Sequence, residues 1–221
     1  MQVGGDFYDA FATGDGRVAL VVGDVSGKGL PAAVVVGLLL GAARASNWLE
    51  GASEHEASCA RLSELLRART SLESFASLFS CCYDPKTREL VYVNAGHPPP
   101  ILLRQSGSAG HSLERLEEGG PVLGVVAGAG YRQTTVPLCP GDLLVLFTDG
   151  IAEASKIIDD DSAGSEVSDD QFGEERLLET IRENRARTCA EIRDEILKRV
   201  HKFLDGSPAE DDLTLVVARV I

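Results

Sequence analysis

The stretch Val18-Ala-Leu-Val-Val-Gly-Asp-Val-Ser-Gly-Lys-Gly-Leu-Pro-Ala-Ala33 decides the local architecture of this chain. Its first half is apolar and rich in β-branched residues, which is typical of a buried strand. A glycine-containing turn follows, and the apolar, alanine-rich run over Leu30–Leu49 predicts a buried helix. The order strand, turn, helix leaves the carboxylate of Asp24 at the end of a strand.

Hydrophobic periodicity extends this pattern in both directions along the chain. A second helix is predicted over Glu54–Arg69, and we expect both helices to pack on one face of a sheet. Strands are predicted at Phe75–Tyr83, Glu89–Asn94, Pro100–Leu103, Tyr131–Val136, Asp142–Thr148 and Leu213–Ile221, with the last one central, and helices at Phe172–Asn184 and Cys189–Leu204. The acidic, aperiodic segment 157–171 is predicted to be a surface loop of one domain spanning residues 1–221.

Composition limits the class of partner. The 221 residues are 44% hydrophobic and 25% charged, as in ordinary globular proteins, and the formal net charge of −13 argues against nucleic acid or an anionic membrane as a partner. The longest apolar run, over 30–43, is interrupted by proline and glycine and is too short to span a bilayer, so no membrane segment is expected.

Cysteine usage and the first residues bear on the compartment. Five cysteines without a CxxC pair predict reduced, mostly buried thiols in a cytoplasmic protein. The opening residues lack the basic and apolar regions of a secretory signal and read at once as strand-like sequence. We therefore expect a domain excised from a longer regulatory protein, with an upstream sensory or dimerisation domain missing.

Four acidic motifs lie beside strand-like runs, and they carry Asp6, Asp24, Asp149 and Asp211. Any one of them is compatible with an ordinary turn aspartate. Together, carboxylates at the ends of several strands can meet at one rim of a sheet, where only cations would neutralise their repulsion. Because magnesium and manganese prefer oxygen ligands and two such ions can activate water and bind phosphoryl oxygens, the motifs favour phosphate ester hydrolysis.

Other catalytic motifs fit less well. The stretch around Gly27-Lys28-Gly29 follows a strand as a P-loop does, but its glycine spacing is one residue short and a glycine stands where the magnesium-binding hydroxyl belongs. No Gly-x-Ser-x-Gly elbow supports a serine hydrolase. His97, which precedes three prolines, is interpreted as a structural turn residue, with a catalytic role as the alternative.

The motifs as a set closely resemble the SpoIIE-type, RsbU-like branch of the bacterial PPM serine/threonine phosphatases. The resemblance covers the whole chain in order and rests on Val3-Gly-Gly-Asp-Phe-Tyr-Asp9, Gly23-Asp-Val-Ser-Gly-Lys-Gly-Leu-Pro-Ala-Ala33, Asn94-Ala-Gly-His-Pro-Pro-Pro100, Pro140-Gly-Asp-Leu-Leu-Val-Leu-Phe-Thr-Asp-Gly150, Phe172-Gly-Glu-Glu-Arg-Leu177 and Asp211-Asp-Leu-Thr214. It implies an α+β fold, a four-layer α-β-β-α sandwich of two antiparallel sheets flanked by helices.

The resemblance also implies a centre of two Mn²⁺ or Mg²⁺ ions. By position, Asp24 is the ligand that bridges both ions, the backbone carbonyl of Val25 binds one of them, and Asp6, Asp149 and Asp211 complete the site. Hydrolysis of phosphoserine or phosphothreonine by direct attack of a metal-bridging hydroxide is then expected, on a phosphorylated anti-anti-sigma protein of the STAS type.

One departure from the wider family affects the mechanism. Eukaryotic relatives carry a histidine two residues after the bridging aspartate, often proposed as the general acid, where this chain has Ser26. The proton donor to the leaving group is therefore unassigned. Two alternatives to a protein phosphatase are a catalytically silent binding module with the same fold and a small-molecule phosphohydrolase.

Overall fold

The computed structural model describes residues 4–45, 55–69, 74–105, 112–160 and 164–221. The strands are β1 (Asp6–Ala12), β2 (Val18–Val25), β3 (Ala76–Asp84), β4 (Glu89–Ala95), β5 (Ile101–Leu103), β6 (Leu113–Arg115), β7 (Gly119–Gly120), β8 (Thr134–Pro137), β9 (Leu143–Phe147), β10 (Ser155–Asp160), β11 (Gly164–Gln171) and β12 (Leu215–Arg219). The helices are α1 (Leu30–Ala45), α2 (His55–Arg69), α3 (Asp149–Ala152), α4 (Gly173–Asn184) and α5 (Cys189–Leu204).

Two sheets form the centre of the fold. The first has the order β1-β2-β3-β4-β7, with β8 also paired to β4, and the second has the order β12-β9-β5-β6. All of these pairings are antiparallel except the short contact between β4 and β7. Strands β1 to β4 follow one another in the first sheet, with α1 and α2 inserted between β2 and β3. The consecutive strands β3 and β4 pair directly, whereas β5, the next strand along the chain, belongs to the second sheet.

Three apolar layers hold the sheets and helices together, and strand alternation explains them. Residues such as Val21 on β2 face one way and pack with α1 and α2, whereas Val22 faces the second sheet. The outer face of the second sheet packs with α4 and α5, for example through Val145 and Ile196. The order of layers is helix, sheet, sheet, helix, which confirms the predicted α+β sandwich and the expected packing of the first two helices on one sheet face.

The boundaries of most predicted elements are close to the observed ones, and two predictions are wrong. The C-terminal strand β12 is not central, because it is the first strand in the order of its sheet and pairs only with β9 among the described strands. All of its residues are partly exposed, whereas those of β9 are buried. An apolar strand is compatible with either place, since its composition does not specify how many neighbours it has.

The acidic segment 157–171 is also different from the prediction of a loop. Strands β10 and β11 pair with each other as an antiparallel hairpin that forms its own two-stranded sheet. Backbone hydrogen bonds between adjacent strands do not require an apolar face, and so the polar composition gave no strand signal. The predicted continuation of α1 to Leu49 lies outside the described residues beyond position 45.

Two predictions made from composition concern the burial of the cysteines and the absence of a membrane-spanning helix. All five cysteines are free thiols; Cys59, Cys81 and Cys82 are buried, Cys189 is partly exposed and Cys139 is exposed. The burial of most of these side chains confirms the expectation of mostly buried thiols. Among the described helices, none combines the length and the apolar character that crossing a bilayer requires.

Candidate metal centre

Two of the predicted ligands are cross-strand neighbours in the first sheet. Asp6 opens β1 and Asp24 lies near the end of β2, and the two residues are direct partners in the antiparallel register. Directly opposed side chains in such a pair have Cβ atoms about 5 Å apart and share one face. Asp24 follows Val22 by two residues, so that face is the one that meets the second sheet. Opposed like charges destabilise a sheet unless a cation lies between them.

The other two predicted ligands come from the second sheet. Asp149 follows β9 and begins the short helix α3, and Asp211 lies just before β12. Because β9 and β12 are antiparallel, with Leu215 opposite Phe147, the end of one strand and the start of the other meet at the same rim. The four aspartates are therefore brought to one end of the sandwich, where the two sheets face each other.

Thr148 links the two sheets at this rim. Its hydroxyl donates a hydrogen bond of 2.7 Å to Oδ2 of Asp6 and accepts one of 3.2 Å from the backbone N–H of Thr214. The backbone N–H of Thr148 also donates to the carbonyl of Thr214 at 3.1 Å. The Thr148 side chain is fully buried. The sequence indicated only Asp149 of the segment Thr148-Asp-Gly150 as a site residue, and the contribution of Thr148 is visible only in the structure.

The electrostatics of the rim reflect crowded carboxylates. Burial raises the pKa of Asp24 to about 7, with further raising by the charges of Asp6, Asp149, Asp211 and Asp212. Burial likewise raises the pKa of Asp6 to about 6; hydrogen bonds from Thr148 and Thr214 lower it, and the charges of Asp212 and Asp149 raise it. Protonation or bound cations would relieve this repulsion. Asp212, which directly follows Asp211, also adds negative charge to this rim, although no sequence motif indicated a role for it.

The Val25 carbonyl lies against a glycine whose missing side chain leaves room for it. A Cβ atom on Gly5 would lie 2.2 Å from the carbonyl oxygen of Val25 and 2.6 Å from Oδ1 of Asp24. The backbone N–H of Val25 donates to the carbonyl of Gly5 at 3.1 Å, which keeps the two segments together. Only glycine fits at position 5 without displacing two of the predicted ligand oxygens.

The candidate ligands fit divalent cations in chemical kind. All of the candidate donors are carboxylate or carbonyl oxygens, the set that magnesium and manganese prefer. In the part of the chain that the structure describes, no group of three or more acidic, histidine or cysteine side chains is arranged so that it could hold a metal ion by itself. Magnesium keeps several waters and commonly uses only one or two carboxylates per ion, so an open rim of carboxylates is compatible with it.

A lysine reaches the same rim. The Lys28 ammonium lies 3.2 Å from Oδ1 of Asp211 and donates a 2.7 Å hydrogen bond to the carbonyl of Glu210. Both partners of the ion pair are about half exposed, at 47% for the lysine side chain and 50% for the aspartate. In the sequence, Lys28 lies in the glycine turn that lacks P-loop spacing, and no motif indicates a role for it.

Behind Asp24, a serine and a histidine support the strand. The backbone N–H of Asp24 donates to Oγ of Ser77 at 3.3 Å, and Oγ of Ser77 lies 2.9 Å from Nδ1 of His97. His97 is buried, which lowers its pKa to about 4, and its backbone exchanges hydrogen bonds with the side chain of Asn94. These contacts agree with the structural interpretation of His97.

Ser26 also has a structural contact. Its hydroxyl accepts a hydrogen bond of 2.9 Å from the backbone N–H of Phe75, and its own N–H donates to the Phe75 carbonyl. This joins the end of β2 to the start of β3. Nothing in this arrangement assigns Ser26 the role of the histidine found in eukaryotic relatives.

Comparisons with known proteins agree with the fold and the motifs. The family described as "Stage II sporulation protein E (SpoIIE)" matches residues 14–221. Protein IcfG of Synechocystis sp. is 30% identical over 97% of this chain and 36% of its own length. The phosphoserine phosphatase RsbU of Bacillus subtilis is 26% identical over 99% of this chain and 60% of its own length. The chain thus spans less than two thirds of these relatives.

Solved structures place the fold among PP2C phosphatase domains. The SiaA-PP2C domain of Pseudomonas aeruginosa aligns with a TM-score of 0.78 at 22% identity, over 99% of this chain and 82% of that one. The RsbU and RsbW domains of Rv1364c from Mycobacterium tuberculosis align with a TM-score of 0.68 at 26% identity, over 99% of this chain and 57% of that one. RsbX in complex with magnesium aligns with a TM-score of 0.65 at 16% identity, over 100% of this chain and 93% of that one.

Proposed function

Because the chain belongs to the SpoIIE family and has the fold of PPM phosphatase domains, we propose that it hydrolyses phosphoserine or phosphothreonine in a protein substrate. The observation that carries the proposal is the position of Asp24. Its carboxylate lies where the two sheets meet, and burial, together with the charges of four neighbouring carboxylates, raises its pKa to about 7. Such a site binds divalent cations because their charge removes the repulsion.

Asp6, Asp24, Asp149, Asp211 and the Val25 carbonyl would hold two Mn²⁺ or Mg²⁺ ions, which would supply a water of lowered pKa and neutralise phosphoryl oxygens. The expected reaction would be direct hydrolysis without a phosphoenzyme. Neighbouring residues hold these ligand oxygens in position. Thr148 holds the Asp6 carboxylate with a hydrogen bond, and Gly5 leaves space beside Val25. The donor of the proton to the leaving serine or threonine is not assigned to a side chain.

The substrate class follows from the SpoIIE-type resemblance. We propose a phosphorylated STAS-type anti-anti-sigma protein, and a relative named as a phosphoserine phosphatase supports the choice of phosphoserine. A protein substrate is also compatible with the geometry, because the carboxylates lie at an open rim and the side chains of Lys28 and Asp211 are about half exposed. A free small-molecule phosphate ester is the competing substrate class.

The test is hydrolysis of p-nitrophenyl phosphate with manganese, with chelator, and by an Asp24→Asn variant. We expect manganese-dependent turnover that falls by on the order of 10²–10³ in the variant, the scale for the loss of one group that stabilises a transition state. The control is Asp194→Asn, which removes an exposed aspartate on α5 that pairs with Arg193. Turnover that is independent of metal, or equal in both variants, would contradict the proposed site.

A second comparison separates the substrate classes. With manganese present, kcat/KM is measured for a phosphorylated STAS-domain protein and for free phosphoserine. Preference for the protein supports a protein phosphatase, and preference for free phosphoserine supports a small-molecule phosphohydrolase. Absence of turnover with every substrate would favour a silent binding module.

A further inference from the structure

Lys28 contacts the proposed metal site but is not one of its expected ligands. Its ammonium contacts Oδ1 of Asp211 at 3.2 Å and the carbonyl of Glu210 at 2.7 Å. Asp211 is one of the expected metal ligands, so the lysine holds a carboxylate that a divalent cation would also bind. An ammonium and a divalent cation compete for the same oxygen because both are positive and both require close approach.

The ion pair is weak, and its surroundings leave the lysine room to move. Both side chains are about half exposed, and solvent screens ion pairs of this kind. The flanking Gly27 and Gly29 have φ angles of +90° and +85°, and a Cβ atom on either would meet nothing within 4 Å. Position 28 therefore lies in an open glycine turn, from which a long flexible side chain can reach several places at the rim.

The net charge of the rim indicates a role for the lysine once cations are bound. Asp24 and the four carboxylates whose charges act on it make five carboxylates at this rim; the four are Asp6, Asp149, Asp211 and Asp212. Two divalent cations leave one net negative charge on that group, and a phosphate monoester dianion would still meet a repulsive field. The ammonium of Lys28 cancels the remaining charge, and its three N–H groups suit phosphoryl oxygens.

We propose that Lys28 is a substrate-binding catalytic residue that leaves Asp211 when divalent cations bind and then donates hydrogen bonds to the phosphoryl group. This inference rests on the proposed phosphatase function. The proposed role of the lysine is charge stabilisation rather than proton transfer. In the absence of cations it neutralises part of the acidic rim.

The first test is calorimetric titration of manganese into the metal-free protein and its variants. Lys28→Met removes the competing ammonium, and we expect manganese to bind about two- to fivefold more tightly, the scale of an exposed ion pair. The matched control is Lys86→Met, which removes a lysine from the β3–β4 turn at the opposite end of the sheet and so makes the same change in net charge. Lys28→Arg tests whether another cation suffices.

The second test is binding of inorganic phosphate to the manganese-loaded protein, followed by kinetics. Lys28→Met is expected to weaken phosphate binding by about tenfold and to lower kcat/KM for p-nitrophenyl phosphate by about 10- to 100-fold, since charge-assisted hydrogen bonds are the stronger ones. Lys28→Arg should retain most of both properties, and Lys86→Met should match the unmodified chain.

Opposite changes in metal affinity and phosphate affinity are the decisive result. If Lys28 only supported the local structure, Lys28→Met would lower both affinities or change neither. Unchanged phosphate binding in Lys28→Met, or manganese binding that is unchanged or weaker, would overturn the inference. If the unmodified chain binds manganese and phosphate but turns over no ester, the proposed function fails, and the two binding titrations still decide the role of Lys28.

Discussion

Replacing Thr148 by valine should damage both stability and metal binding, although valine has almost the same shape. The change replaces the hydroxyl by a methyl group. The hydroxyl donates a hydrogen bond of 2.7 Å to Asp6 and accepts one of 3.2 Å from the backbone N–H of Thr214. Three segments of the rim, from β1, β9 and the approach to β12, are connected through this one oxygen atom. Because the side chain is fully buried, water has little access to replace it.

The expected cost can be worked out from the two hydrogen bonds. A bond to a charged carboxylate contributes about 1.5–3 kcal/mol and a neutral one about 0.5–1.5 kcal/mol. Asp6 is only partly buried and can regain some hydration, so the lower part of the first range applies. Thr148→Val should therefore reduce the free energy of unfolding by about 2–3 kcal/mol. Thr148→Ser keeps the hydroxyl and loses one methyl group, which costs about 1 kcal/mol.

The assay is urea unfolding of the metal-free protein at fixed pH. The free energies of unfolding of the three chains are compared provided that their m-values are equal. Manganese titration gives a second readout. Loss of the Thr148 hydrogen bond removes an interaction that lowers the pKa of Asp6, so this pKa should rise further above about 6. Manganese binding by Thr148→Val should then weaken more at pH 6.5 than at pH 8.

The ranking of the two variants decides whether the reasoning is correct. If Thr148→Val is as stable as the unmodified chain, or more stable than Thr148→Ser, the hydroxyl does not hold the rim together. If the valine variant loses stability but keeps the full manganese affinity at both pH values, Thr148 supports the fold without positioning Asp6.

Three further predictions concern other parts of the molecule. Manganese at about 100 times its dissociation constant should stabilise the native state by about 2.7 kcal/mol and raise the melting temperature by about 5–10 °C, and an unchanged melting temperature would count against the metal site. Gly150→Ala should cost about 1–3 kcal/mol in urea unfolding and weaken manganese binding, because its Cβ would lie 2.1 Å from the carbonyl oxygen of Asp212; Gly14→Ala, with nothing within 4 Å, is the control. His55 is fully buried, and burial lowers its pKa to about 4 from an unfolded value of about 6.5. The unfolded state therefore binds more protons between these values, and stability should fall as the pH drops from about 6.5 to 4, with a smaller slope in His55→Gln; equal slopes would refute the assignment.

Local patterns in the sequence determined most of the elements and the identity of the acidic residues. The run over Val18–Val25 and the glycine turn after it predicted β2, the start of α1 and the position of Asp24 at a strand end. The same is true of α5, whose predicted and observed bounds agree at Cys189 and Leu204. Strand and helix periods of two and 3.6 residues are properties of neighbouring positions, so they can be read from a sequence without the fold.

The hairpin of β10 and β11 and the edge position of β12 were not available from those patterns. The hairpin is held by pairing between backbones, and its acidic sequence has no apolar alternation to reveal it. The edge position depends on which strands are absent from one side of β12, and an apolar run of five residues is the same at an edge or in the middle of a sheet.

The sequence by itself determined which carboxylates are candidates for the metal centre, because each one lies in a short motif beside a strand. Only the tertiary structure decided that Asp6 opposes Asp24, that Thr148 joins Asp6 to Thr214, and that Lys28 contacts Asp211. These contacts join residues separated by 18 to 183 positions in the chain, a separation set by strand register and sheet packing. A side chain's partner across a sheet depends on how distant strands align, and no local period in the sequence records that alignment.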